Sequence, residues 1–326
     1  MRLVELVLLL AGLALLAALV RQLGAATVLV NLRLVGWGIA LIVGQEIFAY
    51  IANTLGWRMA FPHRHVPIAF RDLLAARIAG DAVNYVTPTA TVGGELVRLH
   101  LLRGRTATID IATSVAVAKV SQTVGQVVFI VAGLGLILTQ TPLPPSMRFG
   151  LVLGAAVMSA LAVALVRAQR RGMLAPLMRV AELFGQHERM LALRRRLRHL
   201  DEEIARFHGA GRSAFLLSST CFLAGWALGA LEIYLMLWLL GLPASVYRAL
   251  TIEVLSVAID ATFFFVPGKV GTQEGGKVLI FTVLGLDPAK GLSVGILRRI
   301  RELTWALVGL LILSRRQLAA RSAAAS

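Results

Sequence analysis

The sequence predicts an all-α polytopic membrane protein of about six transmembrane helices and two re-entrant half-helix hairpins arranged as an inverted repeat. Three observations carry this. Of 326 residues, 58% are hydrophobic and 15% charged, with a mean hydropathy of +0.78. Apolar runs of about 18 or more residues recur, enough to cross roughly 30 Å of hydrocarbon as helix. And Asp81, Pro88 and Glu95 return as Asp260, Pro267 and Glu274, each pair separated by 179 residues. A transmembrane barrel would show short alternating strands instead.

The first span is Leu3–Val20. Glu5 and the single Arg2 fit an uncleaved helix better than a signal peptide. Val35–Trp57 follows, with Glu46 near its centre, and then a basic loop holding Arg58, His63, Arg64, His65 and Arg71. Leu73–Val86 is only 14 residues long and contains Arg77 and Asp81. At 1.5 Å per residue it covers about 21 Å, too short to cross. Pro88 stops it by disfavouring α geometry at Thr87. Gly93 and Gly94 then offer a flexible turn before Glu95–Leu102 resumes helix. Irregular backbone at membrane depth is tolerated only inside protein or beside water, so the pair reads as a re-entrant hairpin over 71–103.

Ile109–Leu138 spans next, Pro142, Pro144 and Pro145 turn the chain, and Phe149–Val166 spans again. Arg167–Arg212 is the one extensive polar stretch, with 11 Arg and five acidic residues. Within it Met190, Leu193, Leu197, Leu200, Ile204 and Phe207 recur at three- and four-residue steps, which predicts an amphipathic helix lying on the cytoplasmic surface. A short coiled-coil contact is the competing reading. Ala214–Leu240 spans with Glu232. A second hairpin over 247–286 joins Leu250–Val266, which carries Glu253 and Asp260, to Lys277–Leu286 across Pro267, Gly268 and Gly271. Gly291–Leu313 is the last span, and the tail with Arg315, Arg316 and Arg321 reads as disordered. The chain is thus one membrane domain over 1–326, with repeat 1 at 35–138, the basic segment at 167–212 and repeat 2 at 214–313.

The net charge of +16 and a pI near 11.4 fit cytoplasmic basic loops that meet anionic head groups. No zinc-finger spacing or separate basic domain points to nucleic acid. Cys221 alone excludes an internal disulfide or a cysteine metal cluster, and no metal or other cofactor is expected. With the basic segment inside, counting crossings puts both termini in the cytoplasm. The first hairpin then enters from inside and the second from outside. Opposed repeats with broken helices are a recurrent transporter plan, with the site where they meet.

Charged side chains within spans are functional candidates by default. Lys119 leads a polar stripe with Gln122, Thr123 and Gln126, and its repeat partner carries Arg298, Arg301 and Glu302, with Arg299 pointing elsewhere. Two such stripes, with Arg98 and Lys277, predict a basic slot for the head group of a phosphate-bearing lipid. The competing reading is structural: pairs such as Glu95 with Lys119, or Glu274 with Arg298, that hold the hairpins in place. Glu95, Glu274, Asp81, Asp260 and Glu302 are coupling or anchoring residues on either reading.

The stretches PTATVGGELVRLHLLRG, VPGKVGTQEGGKVLI and LGLDPAKGLSVGILRRI resemble the membrane region of the lysylphosphatidylglycerol synthases, the flippase-like integral membrane family, and also its hopanoid-cluster branch. Pro88–Arg98 and Pro267–Glu274 are the most specific parts; Lys269 and Lys277 make the second hairpin more cationic than the family pattern. The resemblance implies a bacterial inner-membrane translocase of lipids or glycolipids. In the synthases aminoacyl transfer belongs to a separate soluble domain; this sequence ends 13 residues after Leu313, so no enzyme activity is expected. No nucleotide-binding loop is present, so energy is expected from gradients or partners. Two other classes compete: a membrane enzyme of lipid modification using Asp81, Glu95 and His100, and a scaffold docking through 167–212.

Overall fold

The computed structural model describes residues 3–62, 68–87, 92–140, 145–172, 188–263 and 266–325. Pro88, the loop His63–His65, Pro142 and Pro144, and residues 173–187 of the basic segment lie outside them. Among the described residues the chain forms twelve α-helices and no strand. They are α1 (Leu3–Leu23), α2 (Ala25–Val35), α3 (Gly38–Met59), α4 (Phe70–Val86), α5 (Val92–Leu102), α6 (Thr108–Gln140), α7 (Pro145–Arg171), α8 (Glu188–Ala210), α9 (Arg212–Leu239), α10 (Val246–Thr262), α11 (Thr272–Val283) and α12 (Pro288–Ala325).

Four helices, α3, α6, α7 and α9, are long and apolar enough to cross a membrane. A fifth span counts if α1 and α2, bent by 88° at Gly24, cross together. The sequence reading had six. Its sixth lies in α12, where Arg298, Arg299, Arg301 and Glu302 interrupt the apolar run. Nothing in the hydropathy announced α2 as a separate helix; Gly24, at φ 88°, makes the break. The tail expected to be disordered continues α12 to Ala325. Arg316 helps fix its start, donating to Asp72 Oδ1 at 2.6 Å.

The same order of elements appears in both halves. A long helix (α3, α9) precedes a 17-residue helix (α4, α10), a shorter one of 11 or 12 residues (α5, α11) and a long one (α6, α12). The halves interlock: α3 packs along α9, α4 packs on α12 and α10 packs on α6. Small residues permit this. A Cβ at Gly309 of α12 would lie 2.5 Å from the Ile78 carbonyl oxygen of α4, and one at Gly56 of α3 3.1 Å from the Ser218 carbonyl oxygen of α9. Without a hydrophobic drive between helices in lipid, such backbone approach is what holds them.

The first short pair differs from expectation in two ways. Helix α4 starts at Phe70 and gains a turn over the expected segment; Thr87, extended at φ −112° and ψ 132°, ends it. Gly93 and Gly94 are not a turn but the first turn of α5. Their reason is packing: a Cβ at Gly94 would lie 2.5 Å from Asn84 Cγ and strike the Gly80 carbonyl, while the Gly94 N–H donates to Asn84 Oδ1 at 2.7 Å. In the second pair α10 and α11 both begin four or five residues earlier than expected. Between them Gly268 (φ 59°), Lys269 (φ 51°) and Gly271 (φ 77°) turn the chain through left-handed backbone. Gly12 of α1 seats against this turn, where a Cβ on Gly271 would lie 2.9 Å from its carbonyl carbon.

Two apolar clusters form the core. One gathers Ile42, Ile130, Ile233, Ile252, Phe281 and Leu297; the other gathers Trp57, Leu73, Leu102, Ile111, Ile204 and Phe222. Along α3, Glu46, Tyr50 and Asn53 fall between Ile42 and Trp57, so a polar layer separates the clusters. Helix α8 is the amphipathic helix expected: Ile204 and Phe207 are buried and Leu200 packs beside them, while the side chains of Met190 and Leu193 are not among those described. It is pinned by His208 Nε2, 2.8 Å from Gln169 Oε1, with Gln169 Nε2 donating to the Ala116 carbonyl at 2.9 Å.

Gly94→Ala should lower the thermal midpoint in detergent, by the equivalent of about 1–3 kcal/mol for overpacking, whereas Gly135→Ala, with open space around it, should not. Burial, and then Arg170, pushes the His208 imidazole below its ordinary value of 6.5. The neutral ring is the folded form, so its stabilisation is complete above about pH 6.5 and declines as the pH falls below that, because the unfolded chain takes up the proton first. A melting series from pH 7.5 to 5.5 should show this loss, reduced in His208→Gln.

Candidate functional site

Buried charge defines the centre of the molecule. Arg298 of α12, 5% exposed, donates to Glu232 of α9 at 2.7 Å and to Glu253 of α10 at 2.6 Å. One helical turn on, Arg301 pairs with Glu46 of α3 and lies 3.2 Å from Glu232. The i, i+3 spacing puts both guanidinium groups on one face of α12. Arg299, expected to point elsewhere, instead ties the two halves together. It donates to Glu274 at 2.8 Å, to the Gly268 carbonyl at 2.6 Å and to the Tyr85 hydroxyl at 2.9 Å. Glu274 therefore pairs with Arg299 rather than Arg298, and its other oxygen accepts from the Gly271 N–H at 2.8 Å, fixing the start of α11.

The first short pair has its own cluster. Arg98, buried on α5, donates to Asp81 of α4 at 2.5 Å and to Glu95 at 2.9 Å, with its guanidinium 5.5 Å from the Trp57 ring centre. Arg77 also reaches Asp81, at 3.4 Å, and Lys119 lies 3.9 Å from Glu95. Asp260 has a counterpart arrangement, accepting from Lys269 at 3.0 Å.

Two cavities open onto these charges. One of about 190 Å³ is lined by Asn53, Gln122, Glu253, Asp260, Lys269 and Arg298, together with Glu46, Arg301 and Glu302. The other, of about 130 Å³, is lined by Tyr50, Asp81, Tyr85 and Trp305 and shares those same last three residues. Glu46, Arg301 and Glu302 thus form a common wall. Among the described residues Glu232 Oε1 and Arg298 Nε are buried with no hydrogen-bond partner, beside the larger of these two cavities.

The basic slot expected from sequence is not what forms. Lys119 and Arg298 sit in separate clusters, and around α12 five cations (Lys269, Lys277, Arg298, Arg299, Arg301) meet six carboxylates (Glu46, Glu232, Glu253, Asp260, Glu274, Glu302). A low-dielectric interior requires this pairing, since an isolated charge there costs several kcal/mol. Of the residues expected to bind substrate, Arg298, Arg301 and Gln122 line a cavity. Arg98 is consumed by its ion pairs, and Gln126 and Lys277, the latter 2% exposed, line neither cavity. Asp81, Asp260 and Glu302 face the cavities; Glu95 and Glu274 act within the short pairs. Tyr85, Asn53, Glu46, Glu232 and Glu253 were not assigned from sequence. The three glutamates carried a legible signal, a carboxylate within an apolar run, which should have placed them with the arginines.

Asp81 lines the smaller central cavity and His100 a separate crevice, so these two residues of the enzyme reading face different spaces. Among the described residues no group of three His, Cys, Asp or Glu is placed to hold a metal ion. Removing Arg298 leaves Glu253 buried without its ion-pair partner and Glu232 with Arg301 alone. Arg298→Met should cost about 3–5 kcal/mol, and adding Glu253→Gln should restore part of it, read as thermal midpoints of the purified protein.

The comparisons with known proteins agree with the sequence motifs. The family model described as the lysylphosphatidylglycerol synthase TM region matches residues 3–310. No curated protein and no solved structure gives a significant match. With nearly the whole chain matched and four to five candidate spans present, this is a multi-pass membrane protein that belongs to the lysylphosphatidylglycerol synthase TM-region family, a family tied to lipid-related processes.

Proposed function

We propose that the chain is a translocase that moves a polar-headed lipid between leaflets, without chemical change to the lipid. The observation that carries this reading is the pair of adjoining charged cavities, walled by Glu46, Arg301 and Glu302, at the junction of the two broken helix pairs. In the proposed path the head group passes through this polar interior while the tails stay in the bilayer. With six carboxylates and three cations lining the two cavities, the interior favours a head group that offers hydrogen-bond donors over a bare phosphate. Each surface hydrogen bond the lipid loses on entry is replaced by Asn53, Gln122, Asp260 or Lys269, which keeps the desolvation cost low.

The topology that serves this has six crossings, both short pairs re-entrant and opposed, and both termini in the cytoplasm of a bacterial inner membrane. Its support is the cluster of arginines in α8 and at the ends of α7 and α12, which the positive-inside rule puts on one side. Arg299, bridging Tyr85 to Gly268, is suited to hold the two pairs together until a head group competes for it.

Liposomes containing the purified protein and a head-group-labelled phospholipid should exchange label between leaflets faster than empty liposomes. Asn53→Leu with Gln122→Leu removes uncharged lining and spares the ion pairs. It should slow exchange roughly 5- to 30-fold, the worth of one or two hydrogen bonds. Exchange equal to that of empty liposomes across zwitterionic, anionic and glycosylated lipids would defeat the reading.

A further inference from the structure

A third cavity, larger than the two central ones, lies away from the central charges. It is a crevice of about 660 Å³ between α5, the first two turns of α6 and the amphipathic helix α8. That size falls within the roughly 300–1,000 Å³ typical of small-molecule sites. Its walls are apolar, with Leu99, Ile109 and Leu200 prominent, and its rim carries His100, Arg103 and Arg196. Helix α8 rests on α6, α7 and α9 and leaves the gap towards α5 unfilled.

The rim arginines differ from those of the interior. Arg77, Arg98, Arg298, Arg299 and Arg301 each have a carboxylate within 4.0 Å. Arg103 and Arg196 have none among the described residues, and both are exposed. They approach one crevice from two elements far apart in sequence, the turn after α5 and the second half of α8. An apolar slot with unneutralised guanidinium groups at its mouth is complementary to an amphiphile with an anionic head. The crevice borders the start of α6, a candidate span, and α8 presents its arginines beside it, which is where a span meets the head-group layer.

We propose that this crevice is a binding site for an anionic phospholipid drawn from the adjoining leaflet. One acyl chain fills the slot between Leu99, Ile109 and Leu200, and the phosphodiester lies between Arg103 and Arg196, each donating through its planar fork. The lipid completes the contact between α8 and the first short pair. It is a resident ligand, not the translocated one, and the inference does not rest on translocation.

The test uses the full chain purified in detergent, freed of endogenous lipid, and offered phosphatidylglycerol or phosphatidylcholine with identical acyl chains. Native mass spectrometry then counts the lipids retained. One phosphatidylglycerol should be held at least tenfold more tightly than phosphatidylcholine, as a charge-assisted pair at the head predicts. Arg103→Gln with Arg196→Gln, both at exposed positions, should abolish the preference while the melting temperature without lipid stays unchanged. Ala112→Phe, which fills the slot, should release the lipid with the arginines intact. Equal retention of the two lipids by the wild-type chain, or a preference that survives the double arginine substitution, overturns the proposal. So does glycerol phosphate, which lacks the chain, if it competes as well as phosphatidylglycerol. Leaflet exchange is a separate readout, so loss of this site and failure of translocation are distinguishable.

Discussion

Charge buried in an apolar bundle has to be neutralised in place, and that requirement organises this molecule. Three arginines within four residues of α12 could not be tolerated in a helix facing lipid. Each reaches a carboxylate contributed by another element: Glu46 from α3, Glu232 from α9, Glu253 from α10 and Glu274 from α11. One helix thereby fixes the positions of four others. The apolar clusters supply area on either side of this layer, but they are non-directional and would allow helices to slide. The ion pairs set register, and the glycines at Gly56, Gly80, Gly94 and Gly309 set how closely the helices approach.

Much of the architecture was legible in the sequence because membrane helices announce themselves by length and hydropathy. Helices α3, α6 and α9 came within a few residues of their observed bounds, whereas α12 runs twelve residues past its expected end, and Asp81 with Asp260 pointed to the two short pairs. The misses have physical causes. Break positions were read from Gly93 and Gly94, yet glycine serves a close approach as readily as a turn, and only the partner Gly80 decides between them. Helix α2 is apolar like its surroundings, so hydropathy has no contrast with which to mark it. Cations drew attention over anions: Arg298 and Arg301 were read as a phosphate site, although Glu46, Glu232 and Glu253 stood within apolar runs by the same criterion. Pairing across hundreds of residues is a tertiary property, and a single sequence does not state which carboxylate meets which guanidinium.

Family membership and site geometry bear on different questions. The match over residues 3–310 fixes what kind of protein this is. The larger central cavity is lined by Asn53, Gln122, Asp260 and Lys269 and walled by ion pairs. Carboxylates outnumber cations in the lining of the two central cavities. Arg103 and Arg196 lie elsewhere, beside α8, so the molecule separates a carboxylate-rich polar volume in its core from exposed arginines at one face.

The seat of Gly12 against Gly271 has a consequence for biogenesis. Helix α1 is made before the other described helices, and its backbone partner follows 259 residues later. At roughly 5–20 residues per second, translation alone separates the two by about 10–50 s. During that interval α1 has no second-half surface to rest on, and the turn between α10 and α11, once made, completes its surroundings only when α1 docks. Seating α1 on this turn therefore has to wait for synthesis of the second half of the bundle.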